Sequence, residues 1–483
     1  MKPHVALLAS PGMGHVIPVL ELGKRLSTHH NLHVTVFVVA CDNSLQQTSQ
    51  LLNSTNHENL LDILLLRSGD ISGLVDSDAS IVTKILVMMR VSLSSLRSAI
   101  SAMKCRPTAL IVDLFGTEAM AVADEFNMLK YVFITTNAWY VATSIYAATV
   151  DKKVLDEHTN QKLPLKIPGC TPVRFEDTIE PLLYRNDAVF YWYIRLGMDM
   201  TTADGILVNT WEDLESKSLG ALRDTKMLGR IAKAPVYPIG PLARPVGPPP
   251  VSRKDAVLDW LDKQPTESVI YVSFGSGGTL PAKQMIELAW GLEQSQQRFI
   301  WVVRPPSDHD ASGSYLTADN GSAGFSDYLP DGFLKRTHNV GLVVPMWAPQ
   351  AQILGHPSVG GFLSHCGWNS TLESIMNGVA MVAWPLYAEQ KMNAAMLTEE
   401  LRVAIRSKVW PSERTVERDE IEMMVRRIMV DKEGLAIRNR VKQMKNSAIK
   451  ASSEGGSSYN SLSQVAVDCE TSLQCLKAMA QGG

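Results

Sequence analysis

The chain has almost no net charge. Its 46 Lys and Arg stand against 49 Asp and Glu over 483 residues, a formal −3, with no long run of either sign. That balance gives no electrostatic reason to expect a nucleic acid or an anionic membrane surface as partner. Long apolar runs are also missing: the early VALLA is too short for a signal-peptide core, and nothing approaches the roughly 20 apolar residues that span a bilayer. The expectation is a cytoplasmic protein with no membrane span. Cys41, Cys105, Cys170, Cys366, Cys469 and Cys475 are scattered and form no CxxC pair, which argues against a zinc ribbon or a disulfide framework and suits a reducing compartment. Glycosylation sequons at Asn53, Asn320 and Asn369 carry no information without secretion.

What is present is an αβ rhythm. The chain is longer than one hydrophobic core usually supports, so two domains are expected. In the first half HVALLA, HVTVFVV, LDILLLR, ALIVD, YVFITT and GILVN alternate with helical patterns, the signature of a parallel sheet covered by helices. One such pattern predicts a long helix over residues 81–103. The prolines and glycines of YPIGPLARPVGPPPVSRKD favour an extended path and predict a boundary there. The rhythm then restarts with SVIYVSF, RFIWVV, GLVV, VGGFLS and AMVAWP. The predicted plan is a Rossmann-like domain over residues 1–240, a Pro-rich linker at 241–254, and a second Rossmann-like domain over 255–483. Its terminal helices could pack back on the first domain. The polar segment 305–331 reads as a surface loop. Two such domains are expected to face each other across a cleft at the carboxyl ends of their strands, where His15, Asp113 and the glycines of SFGSGGT fall.

The first strand runs into SPGMGH. Gly12 and Gly14 suit an anion-binding turn before a helix, but a dinucleotide fingerprint wants a third glycine where Ile17 stands, followed here by Pro18. Asp42 closes the next strand, so the acid is present although the glycine is not. This leaves an NAD(P)-dependent oxidoreductase as one alternative. The other is a loop that mounts His15.

In SHCGWNSTLES a strand is expected to end at Ser364 or His365 and a helix to start near Asn369 or Ser370. Unpaired N–H groups and the helix dipole there, with His365, Asn369 and Ser370 as side-chain donors, would suit a diphosphate. Ser370 to Glu373 also fits S-x-x-E, a capping box.

The whole stretch WAPQAQILGHPSVGGFLSHCGWNSTLESIMNGVAMVAWPLYAEQ, Trp347 to Gln390, closely resembles the signature box of plant UDP-dependent glycosyltransferases of small molecules (family 1), and the resemblance runs across nearly the full chain. DISGL, VDLFGTEA, SFGSGGTL and WPLYAEQKMNA further resemble the subgroup of hydroquinone and coniferyl alcohol glucosyltransferases. The resemblance implies an α/β, two-domain GT-B fold, with UDP-glucose as donor substrate and no cofactor. It implies that Trp347 stacks on uracil, Ala348 and Gln350 read the base and ribose edge, and Glu373 accepts the ribose hydroxyls. His365, Asn369, Ser370 and Ser276 would hold the diphosphate. Trp368, Glu389 and Gln390 would bind the sugar, a final Gln going with glucose, and Thr136 would contact sugar or phosphate.

For catalysis the resemblance implies His15 as general base and Asp113 as the partner of its other ring nitrogen. An imidazole of pKa about 6.5 can take the proton of a phenol of pKa about 10 as the C–O bond forms. The expected product is a β-glucoside, formed by inversion, of a small phenolic acceptor; flavonoids and coumarins are the alternatives. Phe115, Trp139, Tyr140, Phe190, Tyr191 and Trp192 could wall the acceptor or could be core. DSD at Asp76 to Asp78 and DHD at Asp308 to Asp310 lie in polar loops, and the metal-dependent transferase they would suit is not expected. A non-catalytic UDP-sugar-binding protein would keep the box but lose the base.

Overall fold

The apolar runs of the inner strands form because both faces of a parallel sheet are covered, so that continuous Val, Ile and Leu are buried on each side, whereas the edge strands Leu61–Arg67 and Gly341–Pro345 are only partly buried. The computed structural model describes residues 2–40, 60–76, 79–185, 187–244, 256–308, 311–312 and 325–482. In it His4–Ala9 (β1), His33–Ala40 (β2), Leu61–Arg67 (β3), Ala109–Asp113 (β4), Leu129–Ile134 (β5), Gly205–Val208 (β6) and Val236–Pro238 (β7) pair in the order β3-β2-β1-β4-β5-β6-β7. Val269–Ser273 (β8), Arg298–Val303 (β9), Gly341–Pro345 (β10), Val359–Ser364 (β11), Ala380–Ala383 (β12) and Ala404–Arg406 (β13) form a second sheet, ordered β10-β9-β8-β11-β12-β13. All these pairs are parallel. The fold is two Rossmann-like parallel-sheet domains.

In each sheet the strand order reverses once, between β1 and β4 and between β8 and β11. Ligands of such sheets bind at that switch point, outside the carboxyl ends of the strands. Ser10 to His15 follow β1 and Asp113 ends β4, while Ser276 follows β8 and His365 follows β11. These candidate residues thus sit at the switch point of each sheet.

The chain divides into two compact units, the first of Met1–Phe175, Pro181–Leu242 and Lys450–Gly483, the second of Glu176–Glu180 and Ala243–Ile449. Linker residues 245–254 lie outside the described residues. The last helix belongs to the first unit: in Ser457–Gly482, Leu462, Val465, Ala466 and Cys469 recur at helical spacing and join the core built on β1, β2 and β4. Burying Leu462 and Val465 stabilises by about 1.5–3 kcal/mol each. Tyr131 of β5 donates to Asp468 of this helix at 3.0 Å.

The long helix predicted over 81–103 is two helices, Ile81–Val91 and Leu93–Ser101. Ser92 breaks it: its hydroxyl donates back to the Met88 carbonyl at 2.8 Å, a bond that competes with helix continuation and bends the chain. The helices that carry candidate site residues are α1 (Met13–Thr28), α2 (Ala138–Thr149), α3 (Ala188–Met200), α4 (Trp368–Asn377) and α5 (Gln390–Ala395).

Candidate active site

In the first unit the register of β1 on β4 pairs Leu8 with Val112, which brings Ser10 beside Asp113. Asp113 is fully buried, and its Oδ2 accepts both the N–H of Ser10 at 2.8 Å and the Ser10 hydroxyl. Its Oδ1 accepts the N–H of Phe115 at 3.2 Å. Three donors fix the carboxylate in place. Gly12, at φ 102°, lets the chain turn from β1 into α1, and its carbonyl accepts the N–H groups of His15 and Val16, so that His15 sits in the first helical turn. The imidazole Nδ1 then stands 3.4 Å from Asp113 Oδ2, within ion-pair distance, and makes no hydrogen bond. A carboxylate there calls for a proton on Nδ1, which leaves the lone pair on Nε2. The side chain keeps 12% of its surface exposed, enough for access.

The His15 ring lies 4.9 Å from Phe115, which stacks on Trp192 at 4.8 Å. Both aromatics line a pocket with Leu8, Leu86 and Met89, whose lining also includes Arg90, Glu118 and Arg195. Trp139 and Tyr140 are buried in α2, Trp139 donating to the Thr171 carbonyl and Tyr140 meeting Tyr193 of α3 edge-on. Phe190 is buried, whereas Tyr191 is 62% exposed on α3. Thr135 and Thr136 are both buried just before α2. The start of that helix is closed from within. Glu215 accepts the N–H groups of Ala138 and Trp139 at 2.9 Å each, and Asn137 accepts that of Tyr140 at 2.8 Å.

In the second unit, Trp347 follows β10 with 63% of its surface exposed, beside buried Ala348. Gln350 turns inward: its Nε2 donates to Glu373 Oε2 at 2.7 Å and to Ser370 Oγ at 3.0 Å. This decides the S-x-x-E question. The helix α4 begins at Trp368 rather than at Asn369 or Ser370, its N-terminus has no side-chain cap, and both Ser370 and Glu373 are inside it, bonded to Gln350. Burial pushes the Glu373 carboxyl above its ordinary pKa, with the Gln350 bond and the nearby Arg244 pulling the other way. A buried carboxylate short of donors is a ready acceptor for hydroxyl groups.

His365 lies between two glycines. A Cβ on Gly275 would come within 2.5 Å of its ring and one on Gly367 within 2.4 Å. Gly275 also has φ +76°, a left-handed turn that places Ser276, exposed, after β8. Burial, with the Arg304 guanidinium nearby, lowers the His365 pKa to about 4, so the ring is neutral at pH 7 and donates or accepts without charge. Trp368 is buried at the first position of α4, which brings the positive end of the helix dipole next to His365 in the chain.

The stretch Leu386 to Gln390 forms a small built loop. Gln390 Oε1 accepts the N–H groups of Leu386 and Tyr387 at 2.8 and 3.1 Å, which fixes the amide orientation and leaves its NH2 as the donor side. Glu389, half-buried, accepts from Asn393 at 3.3 Å. Ala388 holds φ 57° between them, and Glu180 grips it twice: the Ala388 N–H donates to Glu180 Oε2 at 2.9 Å and the Glu180 N–H to the Ala388 carbonyl at 3.1 Å. Ser10, Glu180, Glu215 and Arg304 were not singled out by motif. Only Arg304, a lone cation ending the apolar run RFIWVV, left a trace in the sequence.

Among the described residues no group of three or more His, Cys, Asp and Glu could hold a metal ion, and no helix is long and apolar enough to cross a membrane. Asp308 accepts the N–H of Ala282 at 3.2 Å; Asp42, Ser77, Asp78, His309 and Asp310 lie outside the described residues. Of the cysteines, Cys105, Cys366, Cys469 and Cys475 are free.

Comparison with known proteins gives a consistent result. Residues 253–432 match the family described as UDP-glucoronosyl and UDP-glucosyl transferase. The chain is 55% identical to anthocyanidin 3-O-glucosyltransferase 5 of Manihot esculenta, over 98% of this chain and 96% of that one. It is 54% identical to UDP-glycosyltransferase 72E1 of Arabidopsis thaliana, over 100% and 99% of the two chains. The subgroup resemblance is more distant: hydroquinone glucosyltransferase of Rauvolfia serpentina is 41% identical over 98% of each chain. Among solved structures, TcCGT1 in complex with UDP superposes with a TM-score of 0.90 at 48% identity, covering 98% of this chain and 100% of that one.

Proposed function

The chain belongs to the plant family 1 UDP-glycosyltransferases, enzymes that transfer sugar from a UDP-sugar to small plant molecules, and from that premise we propose that it forms β-glucosides of phenolic acceptors from UDP-glucose. The family assignment displaces the oxidoreductase and non-catalytic alternatives. The observation that carries the proposal is the pairing of His15 with buried Asp113 at the carboxyl ends of adjacent parallel strands. The first unit supplies the base and the acceptor wall of Phe115 and Trp192. The second supplies the donor site.

In this reading His15 Nε2 takes the acceptor's hydroxyl proton as that oxygen attacks C1 of glucose. The C1–O bond to the diphosphate breaks on the opposite face, UDP leaves with the electron pair, and the anomeric configuration inverts. Asp113 stabilises the imidazolium and holds the tautomer, a contribution of about 10²–10⁴-fold in rate for a placed base. Trp347 offers its exposed indole to uracil, Ala348 and Gln350 flank it, and Glu373 accepts the ribose hydroxyls. His365, Asn369, Ser370 and Ser276 hold the diphosphate, and Trp368, Glu389, Gln390 and Thr136 contact the sugar. No metal or cofactor takes part. A cytoplasmic location goes with the free thiols of Cys105, Cys366, Cys469 and Cys475.

A second acceptor reading has its own support, since the relative at 55% identity is named for anthocyanidins and the one at 41% for hydroquinone. Flavonoid hydroxyls therefore stand beside those of simple phenolics and phenylpropanoids. A panel of hydroquinone, coniferyl alcohol, an anthocyanidin, a flavonol and a coumarin, incubated with UDP-glucose and scored by mass spectrometry for a hexose adduct, separates them. No adduct on any of the five would overturn the phenolic assignment.

A further inference from the structure

Met346 is held from both sides by the end of β9. Its N–H donates to the Val303 carbonyl at 2.8 Å, and its own carbonyl accepts from Arg304 through Nε and Nη2, both at 3.2 Å. It has φ 64°, a left-handed conformation that costs a residue with a side chain about 1 kcal/mol and persists where the surroundings impose it. The next residue is Trp347, so the Arg304 fork sets the turn that presents the exposed indole.

Arg304 is half-buried, and its Nη1 is buried with no hydrogen-bond partner. Among the described residues no carboxylate forms an ion pair with it. Arg304 lines a cavity with Gly275, Gly278 and Thr279 of the loop after β8, and its field reaches His365. The side chains assigned to the diphosphate are otherwise uncharged. The other cation nearby, Arg244, acts on Glu373. A buried, unpaired cation is costly, and an anionic ligand offsets that cost.

We propose that Arg304 is the charge-bearing positioning residue of the donor site: its fork holds Met346 and thereby Trp347, and its fixed positive charge balances the diphosphate of the UDP-sugar. This rests on the donor-site reading given above. Arg304 has two separable effects, one on the nucleoside end through Trp347 and one on the diphosphate through charge.

The test titrates wild type, R304K and R304M with UDP and with uridine by calorimetry, after melting curves and gel filtration. R304M is expected to bind UDP about 10–100-fold more weakly, with the UDP-to-uridine affinity ratio falling about 10-fold. R304K keeps the charge but not the fork, so it should hold that ratio within about 3-fold while uridine binding weakens as in R304M. An unchanged ratio in R304M overturns the charge role. Should R304M not fold, R304K decides alone: wild-type uridine affinity, or a collapsed ratio, overturns the proposal. A wild-type protein that binds neither nucleotide overturns the donor-site reading itself, and this proposal with it.

Discussion

His15 Nδ1 stands 3.4 Å from Asp113 Oδ2, an oxygen that already accepts the N–H and the hydroxyl of Ser10. The carboxylate is therefore held by Ser10 and by the N–H of Phe115, not by the histidine it faces. Asp113→Asn keeps the volume but loses the anion that stabilises imidazolium. We expect kcat to fall about 10²–10⁴-fold with UDP affinity unchanged, measured by steady-state kinetics beside calorimetry.

Glu373 is tuned against stability. Its buried carboxyl has a raised pKa, so the folded state binds the proton more tightly than the unfolded state does, and stability is lost as pH rises from the ordinary value through the raised one. Glu373→Gln removes that loss and can still accept from Gln350. The variant should melt at or above the wild type at pH 7 while binding UDP about 10–100-fold more weakly, because it lacks the carboxylate oxygen proposed to accept from the ribose.

His365 has the opposite linkage. Its pKa is lowered to about 4, so the unfolded chain takes up a proton between pH 6.5 and 4 that the folded protein refuses. Stability should fall as pH drops through that window and level off below it, by an amount on the order of 3 kcal/mol for this group. Melting curves of wild type and His365→Gln across pH 4–7 isolate the term as their difference.

Gly275→Ala places a methyl 2.5 Å from the His365 ring at a backbone φ of +76°. The ring must move. The expected outcome is a stability loss of about 1–3 kcal/mol and a larger proportional loss of UDP affinity, read by melting and by calorimetry on the same sample. Wild-type UDP affinity in a folded variant would show that the position of His365 does not matter for the donor.

The strands were legible where apolar runs of four residues or more stood between turn residues. The three-residue strands β7 and β13 were not, being too short to show a period. Likewise the apolar stripe of Leu462, Val465, Ala466 and Cys469 marks a helix, but nothing local says which core it completes. The signature box carried its own resemblance, yet S-x-x-E stayed ambiguous until Gln350 was seen bonding both Ser370 and Glu373. Glu180 and Arg304 act through the carbonyls or N–H groups of Ala388 and Met346, distant in sequence, and backbone partners leave no motif.

The most direct test of the account incubates wild type and His15→Ala with UDP-glucose and the best acceptor of the phenolic panel, with UDP affinity measured in parallel. The expected result is a hexose adduct from wild type, its rate reduced about 10²–10⁴-fold in His15→Ala, and UDP binding nearly the same in both. A folded His15→Ala that turns over at the wild-type rate would contradict the base assignment on which the mechanism stands.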